Sequence, residues 1–260
     1  MQPTLITFEQ PLNECIRICL RLEHLFQQFH TSLKVHTFSE QNARLAISIL
    51  IELLNVIDRP DLKSRLTQTL TQNVSTLTQL QQSTHIDQNH LQSILTKLDP
   101  LTNQLHSTHT KIAEDLRNND FLSSVRTQVH NPGGICDFAL PVFACWLTRD
   151  NEEQKQQLET WFKEFSLLES ITEIILELTR ESAVPEKLIA TEAFYQRTLN
   201  PNTPVQLIRI SLPSALNLYP ELSVGKHRLS IHFMETNYTD GKRLPLRRAD
   251  IEFELCCCRI

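Results

Sequence analysis

The hydrophobic positions change their spacing within the first thirty residues. Leu5, Ile6 and Phe8 stand among polar neighbours in a short extended piece. From Leu12 the apolar residues fall instead at Cys15, Cys19, Leu22, Phe26, Phe29 and Leu33. Steps of three and four are the period of a helix with one buried seam, so a strand is predicted to run directly into a long helix. Arg17 and Arg21 lie one turn apart on the polar side of that helix, stacked on one face.

Helical spacing continues. Ser39 is a predicted N-cap, and Leu45 to Ile57 is so apolar that its helix must be buried on most sides. Arg59-Pro60 ends it, and Pro60 suits the first turn of the next. Leu62, Leu66, Leu70, Val74, Leu77 and Leu80 then form a narrow stripe among Thr, Gln, Ser and Asn, an exposed helical arm. Asp87 is the expected cap of a helix through Leu91, Ile94, Leu95 and Leu98, which Pro100 interrupts or kinks. Asp120 is read as the cap of a helix through Val129, and Asn131-Pro132-Gly133-Gly134 as a turn whose followers Cys136 and Phe138 dock on the core. Pro141 opens a short helix. Asp150 with Glu153 and Ser166 with Glu169 are capping-box patterns for two more helix starts.

Near residue 200 the period falls to two. Val205 to Leu212, His227 to Met234 and Asp250 to Cys258 read as strands, with Asp240-Gly241 as a turn between the last two. The lone strand at Leu5 to Phe8 needs a partner, and the carboxy-terminal strands supply one. The expected fold class is therefore α+β: a helical body over residues 11–195, and a small antiparallel sheet domain discontinuous in sequence, built from 1–10 and 203–260.

Four glycines (Gly133, Gly134, Gly225, Gly241) are too few and too scattered for a phosphate-cradling loop or dinucleotide fingerprint. No apolar run approaches the ~20 residues that span a bilayer, and no basic segment followed by an apolar run opens the chain. Seven cysteines, three of them adjacent, make a poor disulfide framework and suggest a reduced, cytosolic setting. Metal is not expected: Cys15 and Cys19 lie on the apolar seam, and Cys256, Cys257 and Cys258 alternate across a strand. Neither a G-x-S-x-G elbow nor a base for Cys136 is identifiable, so the chain is not expected to be an enzyme and needs no cofactor.

The cations carry more information. The net charge is −5, yet Lys226, Arg228, Lys242, Arg243, Arg247 and Arg248 crowd the end of the chain, while Arg17, Arg21 and Arg59 mark its beginning. If the first strand joins the last sheet, positive charge from both ends can share one surface for an anionic partner. The alternative is ordinary solvated arginines, some paired with Glu9, Glu14 or Glu23.

Four motifs occur in order: Phe8-Glu9-Gln10-Pro11-Leu12-Asn13-Glu14 with Arg17 and Leu20-Arg21-Leu22-Glu23; Pro132-Gly133-Gly134 with Leu140-Pro141 and Trp146-Leu147; Gly225-Lys226-His227-Arg228 with Phe233-Met234; and Phe253-Glu254-Leu255. Together they resemble the ZapD family across nearly the whole chain. That resemblance implies a cytosolic homodimer at the mid-cell division ring that binds the tail of the tubulin-like protein FtsZ through basic residues and bundles its filaments. Carried over to this sequence, the implied FtsZ-binding residues are Arg17, Arg21, Arg59, Lys226, Arg228 and His232. His232 stands where relatives can carry Arg, which would make part of the charge depend on pH. The competing class is a nucleic-acid or other polyanion binder using the same charges, although nucleic acid is not the expected partner of an acidic chain.

Overall fold

The computed structural model describes residues 4–80, 88–107, 111–129, 131–132, 134–235 and 249–259. Asp87, Gly133, the Asp240-Gly241 turn, and Lys242, Arg243, Arg247 and Arg248 lie outside the described residues. Within them the chain runs β1 (Leu5–Pro11), α1 (Glu14–Leu33), α2 (Glu40–Ile57), α3 (Leu62–Leu80), α4 (Gln88–Ser107), α5 (Glu114–Arg117), α6 (Asp120–Val129), α7 (Pro141–Leu147), α8 (Asn151–Phe162) and α9 (Ser166–Glu181). Strands β2 (Glu186–Ala190), β3 (Phe194–Thr198), β4 (Leu207–Pro213), β5 (Leu218–Val224), β6 (Arg228–Glu235) and β7 (Ile251–Cys258) follow. The α+β class is as expected. Two compact units form, residues 1–17 with 176–260, and residues 18–175.

The first unit holds two antiparallel sheets where one was expected. Their orders are β1-β4-β7-β2 and β3-β6-β5. Strand β1 pairs with β4 from Leu5 opposite Pro213 to Pro11 opposite Leu207, as the unpartnered first strand required. Strands β6 and β7 belong to different sheets, so they are not a hairpin. Strands also begin at Glu186, inside the stretch assigned to the helical body. The shared core includes Ile208, Ile210 and Leu212 of β4, Leu229, Ile231 and Phe233 of β6, and Ile251, Phe253 and Leu255 of β7. Each set alternates, because successive strand side chains face opposite ways.

One ionic knot fixes β1. The carboxylate of Glu9 accepts from Arg180 of α9 through Nε at 2.9 Å and Nη2 at 2.7 Å. It also accepts at 2.9 Å from Nε of Arg209, its opposite number on β4. Burial pushes the Glu9 pKa up, but the two guanidiniums together outweigh it and hold the carboxyl below its usual range.

The second unit is helical. Helix α2 buries Ala46, Ile47, Ile49, Leu50, Ile51, Leu53 and Leu54, hence most of its circumference. Ser39 caps it in a reciprocal box with Asn42. Asn119, not Asp120, caps α6, its Oδ1 accepting the Leu122 N–H at 3.0 Å. Asp150 caps α8 by accepting from the N–H groups of Glu152 and Glu153. Helix α9 begins at Ser166 as expected, but Ser166 is not an extended N-cap: a 3₁₀ turn, Lys163–Phe165, leads from α8 into α9, and Ser166 already has helical backbone angles. Pro100 lies within α4, which continues to Ser107. Phe26, Phe29, Phe162 and Phe165 form one aromatic cluster, with Phe29 and Phe162 stacked 4.3 Å apart. Phe121, Phe143, Trp146 and Trp161 form another. Phe138 is 81% exposed and Cys136 is exposed, so the segment after the Asn131 turn does not bury these side chains. It is tied down by charge instead, Asp137 accepting at 2.7 Å from Arg44 of α2.

Candidate anion-binding surfaces

In the first unit, Lys226 sits at the tip of the β5–β6 hairpin, which closes with the Gly225 N–H donating to the Arg228 carbonyl at 2.8 Å. Arg228 opens β6, the central strand of its sheet. Burial of Leu229, Ile231 and Phe233 turns Arg228, Ser230 and His232 to the opposite face. Arg228 and His232 lie four positions apart along the strand, about 13 Å. His232 has Phe194 beside it, ring centroids 4.6 Å apart, and Glu221 opposite on β5. The structure thus aligns Lys226, Arg228 and His232 along one strand, with a carboxylate beside the histidine.

Arg17 and Arg21 both lie on α1 and both are exposed, as the spacing required. Each has a carboxylate partner: Arg17 donates to Glu14 at 2.5 Å, and Arg21 pairs with Glu52 of α2. Arg17 belongs to the first unit and Arg21 to the second. The ion-paired alternative therefore holds for these two residues. Exposed pairs of this kind are worth only ~0–1 kcal/mol, so a competing anion displaces them at little cost.

Arg59 lies in the second unit, where α2 gives way to α3. It lines a concavity of about 420 Å³ with Ile57, Asp58, Pro60, Leu62, Lys63, Lys111, Ile112 and Arg117. Three of these cations were not predicted: Lys63, Lys111 and Arg117. Lys63 follows Arg59 at four residues, a signal that Pro60 obscured. Lys111 and Arg117 come from a stretch without apolar period, and only folding carries them there. Arg117 anchors the rim, donating from Nε to the Ile112 carbonyl at 2.9 Å and from Nη2 to the Ile57 carbonyl at 2.7 Å. Asp58, the one carboxylate among the described lining residues, is held by Arg117 on Oδ1 and by Arg126 on Oδ2, both at 2.5 Å.

No group of three or more His, Cys, Asp or Glu among the described residues could hold a metal ion. Burial pushes the Cys256 and Cys257 thiols up and that of Cys258 to about 11, opposite to what a nucleophile needs. No described helix is long and apolar enough to cross a membrane.

The ZapD profile, described as a cell division protein, matches residues 20–232. Cell division protein ZapD of Coxiella burnetii (strain RSA 331 / Henzerling II) is 46% identical over 260 residues, covering 100% of both chains. Those of Ralstonia pickettii and Janthinobacterium sp. (strain Marseille) are 34% and 32% identical, covering 98% of this chain and 99% of each relative. With a profile match over most of its length and relatives aligned end to end, the chain belongs to the ZapD family of cell division proteins.

Proposed function

We propose that this chain is a non-enzymatic division factor that binds the carboxy-terminal tail of FtsZ and, as a homodimer, cross-links FtsZ filaments into bundles at the mid-cell ring. The observation that carries this reading is the end-to-end relation to cell division proteins. The cations support it. Lys226, Arg228 and His232 offer a row of positive and titratable groups, Arg17 and Arg21 a helix face, and Arg59 a basic concavity.

Weak contacts suffice for such a role. Four or five exposed ion pairs contribute roughly 1–5 kcal/mol together. With some apolar contact a single site then binds in the micromolar range or more weakly. A dimer meeting a polymer that presents many tails gains ~10²–10⁴ in avidity with no new contact. Bundling follows from valence and geometry, and requires no chemistry from this protein.

Co-sedimentation of polymerised FtsZ with the chain is the test. Bundles should pellet with full-length FtsZ and fail to form with tail-deleted FtsZ. Arg17→Glu or Arg228→Glu should weaken pelleting while both variants stay folded. Bundling indifferent to the tail and to both charge reversals refutes the reading. DNA binding as strong as tail binding, with a steep salt slope, would assign the same charges to nucleic acid instead.

A further inference from the structure

The outer face of the β1-β4-β7-β2 sheet is closed at one end and open at the other. At the closed end Glu9 and Arg209 meet Arg180 of α9. At the open end Leu5 on β1 is 48% exposed and Ile189 on β2 is 57% exposed. Between these two strands Ile251, Phe253 and Leu255 of β7 turn into the core. Asp250, Glu252 and Glu254 therefore stand at alternate positions on the open side, about 7 Å apart. Two concavities follow this row. The first, about 420 Å³, is lined by Leu5, Ile189 and Pro213 beside Glu252 and Glu254. The second, about 360 Å³, shares Pro213 and Glu252 with it and reaches Asp250. Lys187, opposite Glu254 on β2, is the one cation among the described lining residues, so three carboxylates face one ammonium. The side chains of Glu252 and Glu254 have no hydrogen-bond or ion-pair partner among the described residues. Asp250 accepts the Glu192 N–H at 3.1 Å, which fixes its place at the end of the row.

We infer that this groove takes an extended segment of another protein, with Lys or Arg at every second position. An extended chain repeats its side-chain direction every two residues, about 7 Å, which is the spacing of the three carboxylates. The row from Asp250 to Glu254 spans about 13 Å, the reach of five extended residues. A helix, turning every 3.6 residues with a 5.4 Å pitch, would drift out of step with it. The apolar flanks suit the same side chains. Lys and Arg lay their methylene stems on apolar surface while their charged heads reach past it, and Leu5, Ile189 and Pro213 lie beside the carboxylates in that way. Lys187 offsets one carboxylate, so an excess of two remains to attract a basic segment. The inference stands apart from the filament reading, which rests on cations of this chain.

Fluorescence anisotropy of a labelled, N-acetylated peptide of alternating lysine and threonine, titrated with the full chain at ~0.15 M salt to screen diffuse attraction, tests it. Saturable binding at one site per chain is expected. An isomer with its lysines adjacent should bind at least ~3-fold more weakly, having lost the matched spacing. Glu252→Gln with Glu254→Gln should weaken the alternating peptide at least ~5-fold, and Glu159→Gln, an exposed change on α8, less than ~2-fold. The unmutated chain provides a check independent of any variant: carbodiimide should couple the peptide's lysines to Glu252 or Glu254, read by mass spectrometry. No saturable binding, equal binding of the two isomers, equal loss in Glu159→Gln, or coupling confined to other carboxylates overturns the proposal. So do two reassignments of the groove. Peptide binding that appears only in Arg247→Glu with Arg248→Glu gives it to the chain's own basic residues, and self-association abolished by the paired Gln changes gives it to a second copy.

Discussion

Replacing Glu9 by Gln removes the charge at the knot that joins β1 to β4 and α9, with almost no change in shape. The loss can be bracketed. Breaking a fully buried ion pair costs about 3–5 kcal/mol, and an exposed pair about 0–1 kcal/mol. Glu9 is 18% exposed, and its partners Arg180 and Arg209 are 25% and 29% exposed, so the cost falls between these limits, about 2–3 kcal/mol. A chain of this size loses about 2–4 °C of melting temperature per kcal/mol, so Glu9→Gln should melt about 4–12 °C lower near neutral pH. The difference must depend on pH in one direction. Glu9 has its pKa depressed by folding, so its stabilisation is complete above the ordinary carboxylate value and is lost as pH falls through the folded one. Thermal melts of both chains followed by circular dichroism should therefore draw together as pH falls below the ordinary carboxylate range, and meet only once it has passed below the depressed folded value. Equal melting at pH 7, or a gap undiminished at acid pH, would refute the bracketing.

Three further outcomes follow from particular side chains. Asn73 of α3 is 3% exposed, and its Nδ2 has no hydrogen-bond partner among the described residues, so Asn73→Leu should raise unfolding stability by about 1–2 kcal/mol in denaturant titration. Asn119→Ala should lower it by about 1 kcal/mol through loss of the α6 cap, whereas Asp120→Ala should cost less than half of that. With a disulfide-exchange reagent at pH 8, the exposed Cys136 and Cys145 should react within minutes, while Cys15, Cys19 and Cys258 should stay protected until the chain unfolds.

The locally encoded features were legible from the sequence. The strand-to-helix start, the burial of α2, the Ser39 and Asp150 caps and the pairing of the first strand with a late one all follow from periodicity or a single side chain, and each is present. Strand β5 was missed because Pro220 argues against a strand, yet β5 is an edge strand, where a missing N–H costs nothing. Strands β2 and β3 were missed because each has five residues, and the turn between them carries neither Gly nor Asn. Glu192 and Ala193 take positive φ of 50° and 62° there, held by the Ala249 carbonyl and the Asp250 carboxylate. Such a turn is imposed from outside the segment.

The same division applies to function. The order of motifs identified the family, and the crowding of basic residues supplied the candidate surfaces. Which cations meet was decided by tertiary structure. Lys111 and Arg117 reach Arg59 from about fifty residues away in a stretch without period, and Arg17 and Arg21 acquire carboxylate partners only when folded. Periodicity reports which face of an element meets solvent, because that depends on neighbours a few positions off. Charge neighbourhoods depend on chain crossings, and no local spacing records those.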